Sequence, residues 1–189
     1  MIQPSLASER IKVHEIHSFF AQANSFLNSP SLTAGRNFLI RNIAEGAMFE
    51  NNIKLYQPGH PAAYDVWWNK VYSPYYYRYP YAYDAYFTTT SYKEMGKWEM
   101  ISNFEDKKRL IVGYQPEYVI SGIKMRPDAS MAVVDLELKE YSKRYEPYSP
   151  HLTEKVLHAK SKCKAYLGKH NDSVVMSRMD CNTSTNMPF

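Results

Sequence analysis

The feature that most constrains this chain is a run of strict alternation, with Ala132, Val134, Leu136 and Leu138 on one side and Val133, Asp135, Glu137 and Lys139 on the other. Successive side chains of an extended chain point to opposite faces, so the run specifies a strand with one buried and one solvated face. Tyr118 to Met125 carries a partner strand. Between the two, Arg126, Pro127, Asp128, Ala129 and Ser130 supply turn chemistry: proline fixes φ, and aspartate accepts local backbone hydrogen bonds. An antiparallel hairpin over about Tyr114 to Tyr141 follows.

The segments before it read mostly as helix. Ser8 is a candidate N-cap with Glu9 in the first turn, and Val13, Ile16, Phe20, Ala23 and Leu27 recur every three or four residues, which predicts an amphipathic helix ending near Asn28. Ser29 before Pro30 predicts the cap of a second helix, with Leu32, Phe38, Leu39 and Ile43 as its apolar side and Gly46 as its stop signal. Ala47, Phe49, Asn51, Ile53 and Leu55 then alternate as the inner set of a first strand. Ser91 and Glu94 form a capping-box pattern ahead of Met95, Trp98, Ile101 and Phe104, which predicts a third helix.

After the hairpin, Pro147 and Pro150 interrupt the chain and two more strands follow. Leu157, Ala159, Ser161, Cys163, Ala165 and Leu167 form the inner face of one, opposite His158, Lys160, Lys162 and Lys164. Val175, Ser177, Met179 and Cys181 form that of the other, after a turn over Gly168 to Asp172.

At 189 residues the chain fits one domain spanning 1–189, with a core large enough to need no metal. Its anomaly is 17 tyrosines, most of them crowded with Trp67 and Trp68 into a Tyr- and Pro-rich excursion at about 57–90. Alternating tyrosines favour an extended chain there, whereas Pro74 and Pro80 bar a central strand. A net charge of +4, from 23 basic and 19 acidic residues, is spread along the chain. Only Lys70 and Arg78 interrupt the aromatic tract, so no basic groove for nucleic acid is expected. No apolar run reaches membrane-spanning length, and no signal peptide is visible at Met1 to Ser8.

In this order of elements the chain resembles the nuclear-transport-factor-2-like superfamily, specifically its SnoaL-like bacterial members. The segments that carry the resemblance are Ile16 to Asn28 (IHSFFAQANSFLN), Phe38 to Glu50 (FLIRNIAEGAMFE), Ser91 to Ile101 (SYKEMGKWEMI) and Ile120 to Glu140 (ISGIKMRPDASMAVVDLELKE). The resemblance implies an α+β fold. A cone-shaped curved antiparallel sheet packs on three helices of the N-terminal half, as a cystatin-like α+β barrel around an apolar pocket, with a possible homodimer through the sheet. In that family one shell serves isomerases, dehydratases, cyclases and plain binding proteins, so the fold does not give the activity. The excursion at 57–90 is longer than the family's connection.

Ser161 to Cys163 and Met179 to Thr183 (MDCNT) resemble a subgroup of exported members with a cysteine on each of the last two strands. Cys163 and Cys181 are either two small buried side chains or, if the strand register pairs them, a disulfide. The disulfide is the expectation, and it implies an oxidising compartment such as a periplasm, with any signal peptide absent from the sequence as it stands.

Proton-shifting members of the superfamily use a carboxylate or histidine inside the cone. Asp135, Glu137 and Asp180 fall on outer faces in this reading, and the inner faces offer mainly Asn51, Ser161 and Ser177, which do not take a proton near neutrality. His17, beside the apolar stripe of the first helix and three residues from His14, is the one candidate acid–base group. Two such ligands without a third make no metal site. The candidate ligand-binding set is Phe20, Phe49, Asn51, Trp67, Trp68 and Trp98. The reading is a ligand- or protein-binding module for a small apolar or aromatic molecule or a protein partner, with no cofactor. Its alternative is a cofactor-independent lyase or isomerase, which requires a titratable residue in the cavity.

Overall fold

In a computed structural model, residues 10–58, 86–146 and 149–185 are described. Ser8, Glu9, Trp67, Trp68 and nearly all of the tyrosine tract lie outside them. The alternating stretch is a strand, as its period requires. β3 (Gln115–Met125) and β4 (Met131–Glu146) pair antiparallel, with Ile120 opposite Leu136 and Met125 opposite Ala132. The turn between them closes through Arg126 N–H to Met131 O at 2.9 Å, and Asp128 Oδ1 accepts from the backbone and hydroxyl of Ser130. β5 (Ser149–His170) and β6 (Ser173–Thr185) follow, joined by Asn171 and Asp172 at φ 48° and 61°. Two left-handed residues of these types make the tight hairpin whose twist matches its strands.

The N-terminal part gives α1 (Val13–Asn28), α2 (Leu32–Asn42) and β1 (Ile43–Pro58); β2 (Tyr86–Gly96) and α3 (Lys97–Leu110) precede β3. The six strands run in the order β2-β1-β6-β5-β4-β3, and the sheet is open. It is also mixed, which corrects the expectation of a purely antiparallel sheet: β1 and β6 pair parallel, with Asn51 opposite Cys181. Strands separated by most of the chain are not joined by a hairpin, so nothing forces them antiparallel. Register shifts interrupt the ladders near Ile43/Met48, Ile120/Gly122, Glu140/Tyr141 and Tyr166/Leu167. Bulges of this kind bend and twist a sheet.

Three local expectations are corrected. Lys12, not Ser8, precedes α1, and its N–H is taken by the Glu15 carboxylate at 2.8 Å. Ser31, not Ser29, caps α2. Ser91 to Gly96 is strand, because its backbone pairs with β1 from Met48 to Ile53. α3 starts only after Gly96, whose N–H is met by Glu99. Tertiary pairing outweighed the local cap pattern at Ser91.

The three helices among the described residues cover one face of the sheet. α1 contributes Ile16, Phe19, Phe20, Ala23 and Leu27; α2 adds Phe38 and Leu39, and α3 adds Ile101 and Phe104. They meet Ala132, Val134 and Leu136 of β4, Ala165 and Leu167 of β5, and Phe49 of β1 in one core. α2 and α3 approach closely at Gly35, where a Cβ would stand 2.7 Å from the Phe104 ring. The edge strand β3 is held by α1. The Asn24 amide takes Tyr118 N–H at 2.7 Å and donates to Tyr118 O at 2.9 Å, while Asn28 Nδ2 donates to Pro116 O. A helix side chain thus occupies backbone groups that an edge would leave open.

Candidate ligand-binding cleft

Beyond Leu136 the inner face changes character. Alternation carries β4 onward to Leu138 and Glu140, and Glu140 is 5% exposed. Directly across the sheet from Leu138 is Ser161 of β5, and beyond it Thr183 of β6; both are buried. The half of the sheet under α1 is therefore apolar, whereas the half toward the C-terminal ends of β4 and β6 is lined with polar groups. This corrects the expectation that the inner face is apolar apart from Asn51, Ser161 and Ser177.

A cleft of about 100 Å³ opens between this polar half and α3, with Leu27 and Leu39 closing it from α1 and α2. Phe49, Met95, Met100, Phe104 and Met179 supply much of its apolar lining. At one wall, Glu140 Oε1 accepts from Lys107 Nζ at 2.6 Å and from the Tyr114 hydroxyl. The Lys107 and Glu140 side chains are 18% and 7% exposed, and the Lys107 ammonium stands 5.7 Å from the Tyr114 ring centre. An ion pair so far out of water persists only where further hydrogen bonds satisfy it, and the Tyr114 hydroxyl is such a bond. Among the described residues no donor meets Glu140 Oε2.

Burial, and then the Glu140 charge, push the Tyr114 hydroxyl well above the ordinary phenol range, and the same two causes raise Tyr118. Both phenols therefore stay protonated at neutral pH, and the Tyr114 hydroxyl donates to Glu140. At another wall a relay runs Ser161 Oγ to Thr183 Oγ1 at 2.7 Å and Thr183 Oγ1 to Asn51 Oδ1 at 2.8 Å. Cys181 also lines the cleft and is bonded to Cys163, its direct partner in the β5–β6 register, with the Cα atoms 4.1 Å apart.

Of the residues singled out from the sequence, Phe49 and Asn51 line the cleft. Phe20 is in the core, its ring 6.0 Å from that of Tyr118. His17 is exposed on α1, and Trp98 is 55% exposed; neither lines the cleft. Ser177 falls at the β5–β6 bulge, where its hydroxyl donates to Tyr166 O, and Met176 takes the inner position. Leu157, expected inside, is 42% exposed because the register shift at Glu140/Tyr141 turns β5 over.

The cluster that sequence reasoning missed was signalled. Glu140 has the parity of Leu136 and Leu138, and Lys107 lies on the helical stripe of Ile101 and Phe104. Their charge argues against burial, so periodicity alone does not single them out. Among the described residues no group of three metal-ligating side chains occurs, and no helix is long and apolar enough to cross a membrane.

No protein family profile matches the chain, and no curated protein matches it. Solved structures do. A protein with a cystatin-like fold from Nostoc punctiforme is similar at a TM-score of 0.50 and 9% identity, over 95% of this chain and 98% of its own. An NTF-2 like protein from Shewanella oneidensis gives 0.50 at 12% identity, over 91% and 99%. The chain has the NTF2-like fold. A conserved protein from Planctomyces limnophilus extends the likeness, at 0.50 and 10% identity over 90% and 94%. At such identities the NTF2-like match fixes the architecture, so the activity has to be argued from the cleft.

Proposed function

We propose that the chain binds a small, mainly apolar molecule in this cleft, with the ligand's polar group at the Lys107, Glu140 and Tyr114 cluster. One observation carries the reading: a buried ion pair and phenol form one wall of a cleft whose other walls carry Phe49, Met95, Met100, Phe104 and Met179 beside the polar Glu50, Asn51 and Asn103. Apolar pockets with a few convergent polar groups are the usual form of a small-molecule site. At about 100 Å³ against the roughly 150 Å³ that holds one benzene ring, the cleft buries no more than a single ring, and the rest of a ligand lies at its mouth.

Titration of the protein with phenol, cyclohexanol and benzoate, followed by NMR, tests this. Saturable shifts at Phe49 and Tyr114, weakened roughly tenfold in Glu140→Gln, are expected from the loss of a charged acceptor. No saturable shift with any of the three would sink it.

A second reading, a cofactor-independent lyase or isomerase, is favoured by Glu140 Oε2, which no donor among the described residues meets, beside two protonated phenols. Glu140 would take a proton next to a carbonyl while a tyrosine donates to the oxygen that gains charge. Deuterium exchange at the α-carbon of cyclohexanone, faster with the protein than with Glu140→Gln, would support it. Equal rates would reject it.

The Cys163–Cys181 bond supports residence in an oxidising compartment, so export belongs to the same proposal. Two thiols reactive in denatured, unreduced protein from its native host would contradict that. The homodimer through the sheet would have to bury Lys160, Lys162 and Lys164 on the outer face, a wet interface at best. Sedimentation at two concentrations decides it.

A further inference from the structure

The face of the sheet away from the helices carries a groove of its own. The alternation that turns Ser161, Cys181 and Thr183 inward turns Asn52, Lys54, Lys160, Lys162, Asn182 and Ser184 outward, and all six are exposed. Strand register lays them out in two neighbouring rows across β1, β6 and β5. In one row Asn52 stands opposite Asn182 and Asn182 opposite Lys162; in the other Lys54 stands opposite Ser184 and Ser184 opposite Lys160. At ordinary strand dimensions the two rows cover about 7 by 10 Å. These side chains line a groove of about 320 Å³, within the range of about 300 to 1,000 Å³ usual for small-molecule sites.

The polar groups of this groove are left unused by the rest of the protein. Elsewhere on the same face charges are paired: Lys124 with Asp135, Lys139 and Lys160 with Glu137, and Arg178 with Glu50 and Asp180. Among the described residues, no hydrogen bond or ion pair engages the side chains of Asn52, Lys54, Lys162, Asn182 or Ser184. Lys54 has Thr90 and Ser184 beside it in the register, and the one acid opposite Lys162 is Glu137, which Lys160 already holds at 2.8 Å. Two ammonium groups at diagonal corners thus flank two amides and a hydroxyl. An amide both donates and accepts, as a hydroxyl does, so the middle of the groove matches neutral hydroxyl groups and the corners match negative charge. A bare oxyanion would instead set its charge against the amide oxygens. Tyr92, opposite Asn52 on β2 and 56% exposed, extends that row with an aromatic ring.

We propose that this groove binds an acidic sugar, an oligosaccharide of uronic acid units. Its hydroxyl groups meet Asn52, Asn182 and Ser184, and its carboxylates meet Lys54 and Lys162. The groove and the cleft lie on opposite faces of the sheet, so the two sites stand or fall separately.

NMR titration of the full chain tests this in about 0.15 M salt, where exposed charges act over only about 8 Å. Three probes separate the chemistries: trigalacturonate carries carboxylates and hydroxyls, maltotriose hydroxyls alone, and tripolyphosphate charge alone. Trigalacturonate is expected to shift the side-chain amides of Asn52 and Asn182 saturably, with a Kd roughly tenfold lower than that of either other probe. Asn182→Ala should remove its advantage over tripolyphosphate, and Lys162→Gln should remove part of its advantage over maltotriose. Tripolyphosphate bound as tightly as trigalacturonate would mean a site for charge alone and overturns the proposal. Maltotriose bound as tightly overturns it too, because the lysines then contribute nothing. So do the absence of any saturable shift with trigalacturonate and a homodimer that covers this face. The wild-type comparison needs no variant, so misfolding of a variant leaves the test intact.

Discussion

Tyr114 joins stability and chemistry in one hydroxyl. It is 6% exposed and donates to Glu140, and its proton is held well above the ordinary phenol value by burial and by the carboxylate charge. A folded-state value raised above the unfolded one, about 10 for tyrosine, gives stability that is complete below that pH and is lost as pH rises toward the folded value. Tyr118 acts with the same sign. Urea unfolding should therefore show a midpoint that falls on the alkaline side above about pH 10, with Tyr114→Phe flattening the fall. At neutral pH the same variant should cost about 1–3 kcal/mol, since Glu140 loses a donor in a buried place. An alkaline limb as steep in Tyr114→Phe as in the wild type would contradict this. The cluster was half legible: alternation gave Glu140 its face, whereas its partners come from α3 and the residue before β3, which no local pattern relates to β4.

Among the elements, α1 does more than bury its stripe. Asn24 makes two hydrogen bonds with the backbone of Tyr118, so a helix finishes the edge of the sheet. Asn24→Ala should destabilise the protein by about 1–3 kcal/mol, because two backbone groups lose their partner. Amide exchange at Tyr118 should accelerate while that of Leu136, in the centre of the sheet, changes only with global stability. Unchanged exchange at Tyr118 would show that water serves the edge equally well. The hydrophobic repeat made α1 legible, but nothing in the local pattern marks Asn24 and Asn28 as partners of a strand about 90 residues away. At Ser91 the local signal pointed the wrong way. A capping pattern contributes about 1 kcal/mol, and a six-residue ladder with β1 outweighs it.

At the scale of the whole molecule, the disulfide ties the last two strands across 18 residues of sequence and forms part of the cleft wall. Replacing both cysteines by alanine should cost about 3 kcal/mol, as expected for a loop of this length. Denatured, unreduced protein should show no reactive thiol. Loss of less than about 1 kcal/mol would mean that the unfolded chain is little constrained by the bond. The cleft lies beside this cross-link, so reduction is expected to weaken binding of the phenol probes as well as stability. Titrating the reduced protein measures that effect.

By itself the sequence determined the order of helices and strands apart from β2, the hairpin turns and most of the core, because periods of two and of three to four are local consequences of backbone geometry. It also placed Cys163 and Cys181 on one face of neighbouring strands. Only the tertiary structure decided the parallel pairing of β1 with β6, the bulges that turn Leu157 and Ser177 away from the core, and the meeting of Lys107, Tyr114 and Glu140. Those depend on which distant segments lie side by side. A buried charge becomes tolerable only when such a neighbour supplies its partner.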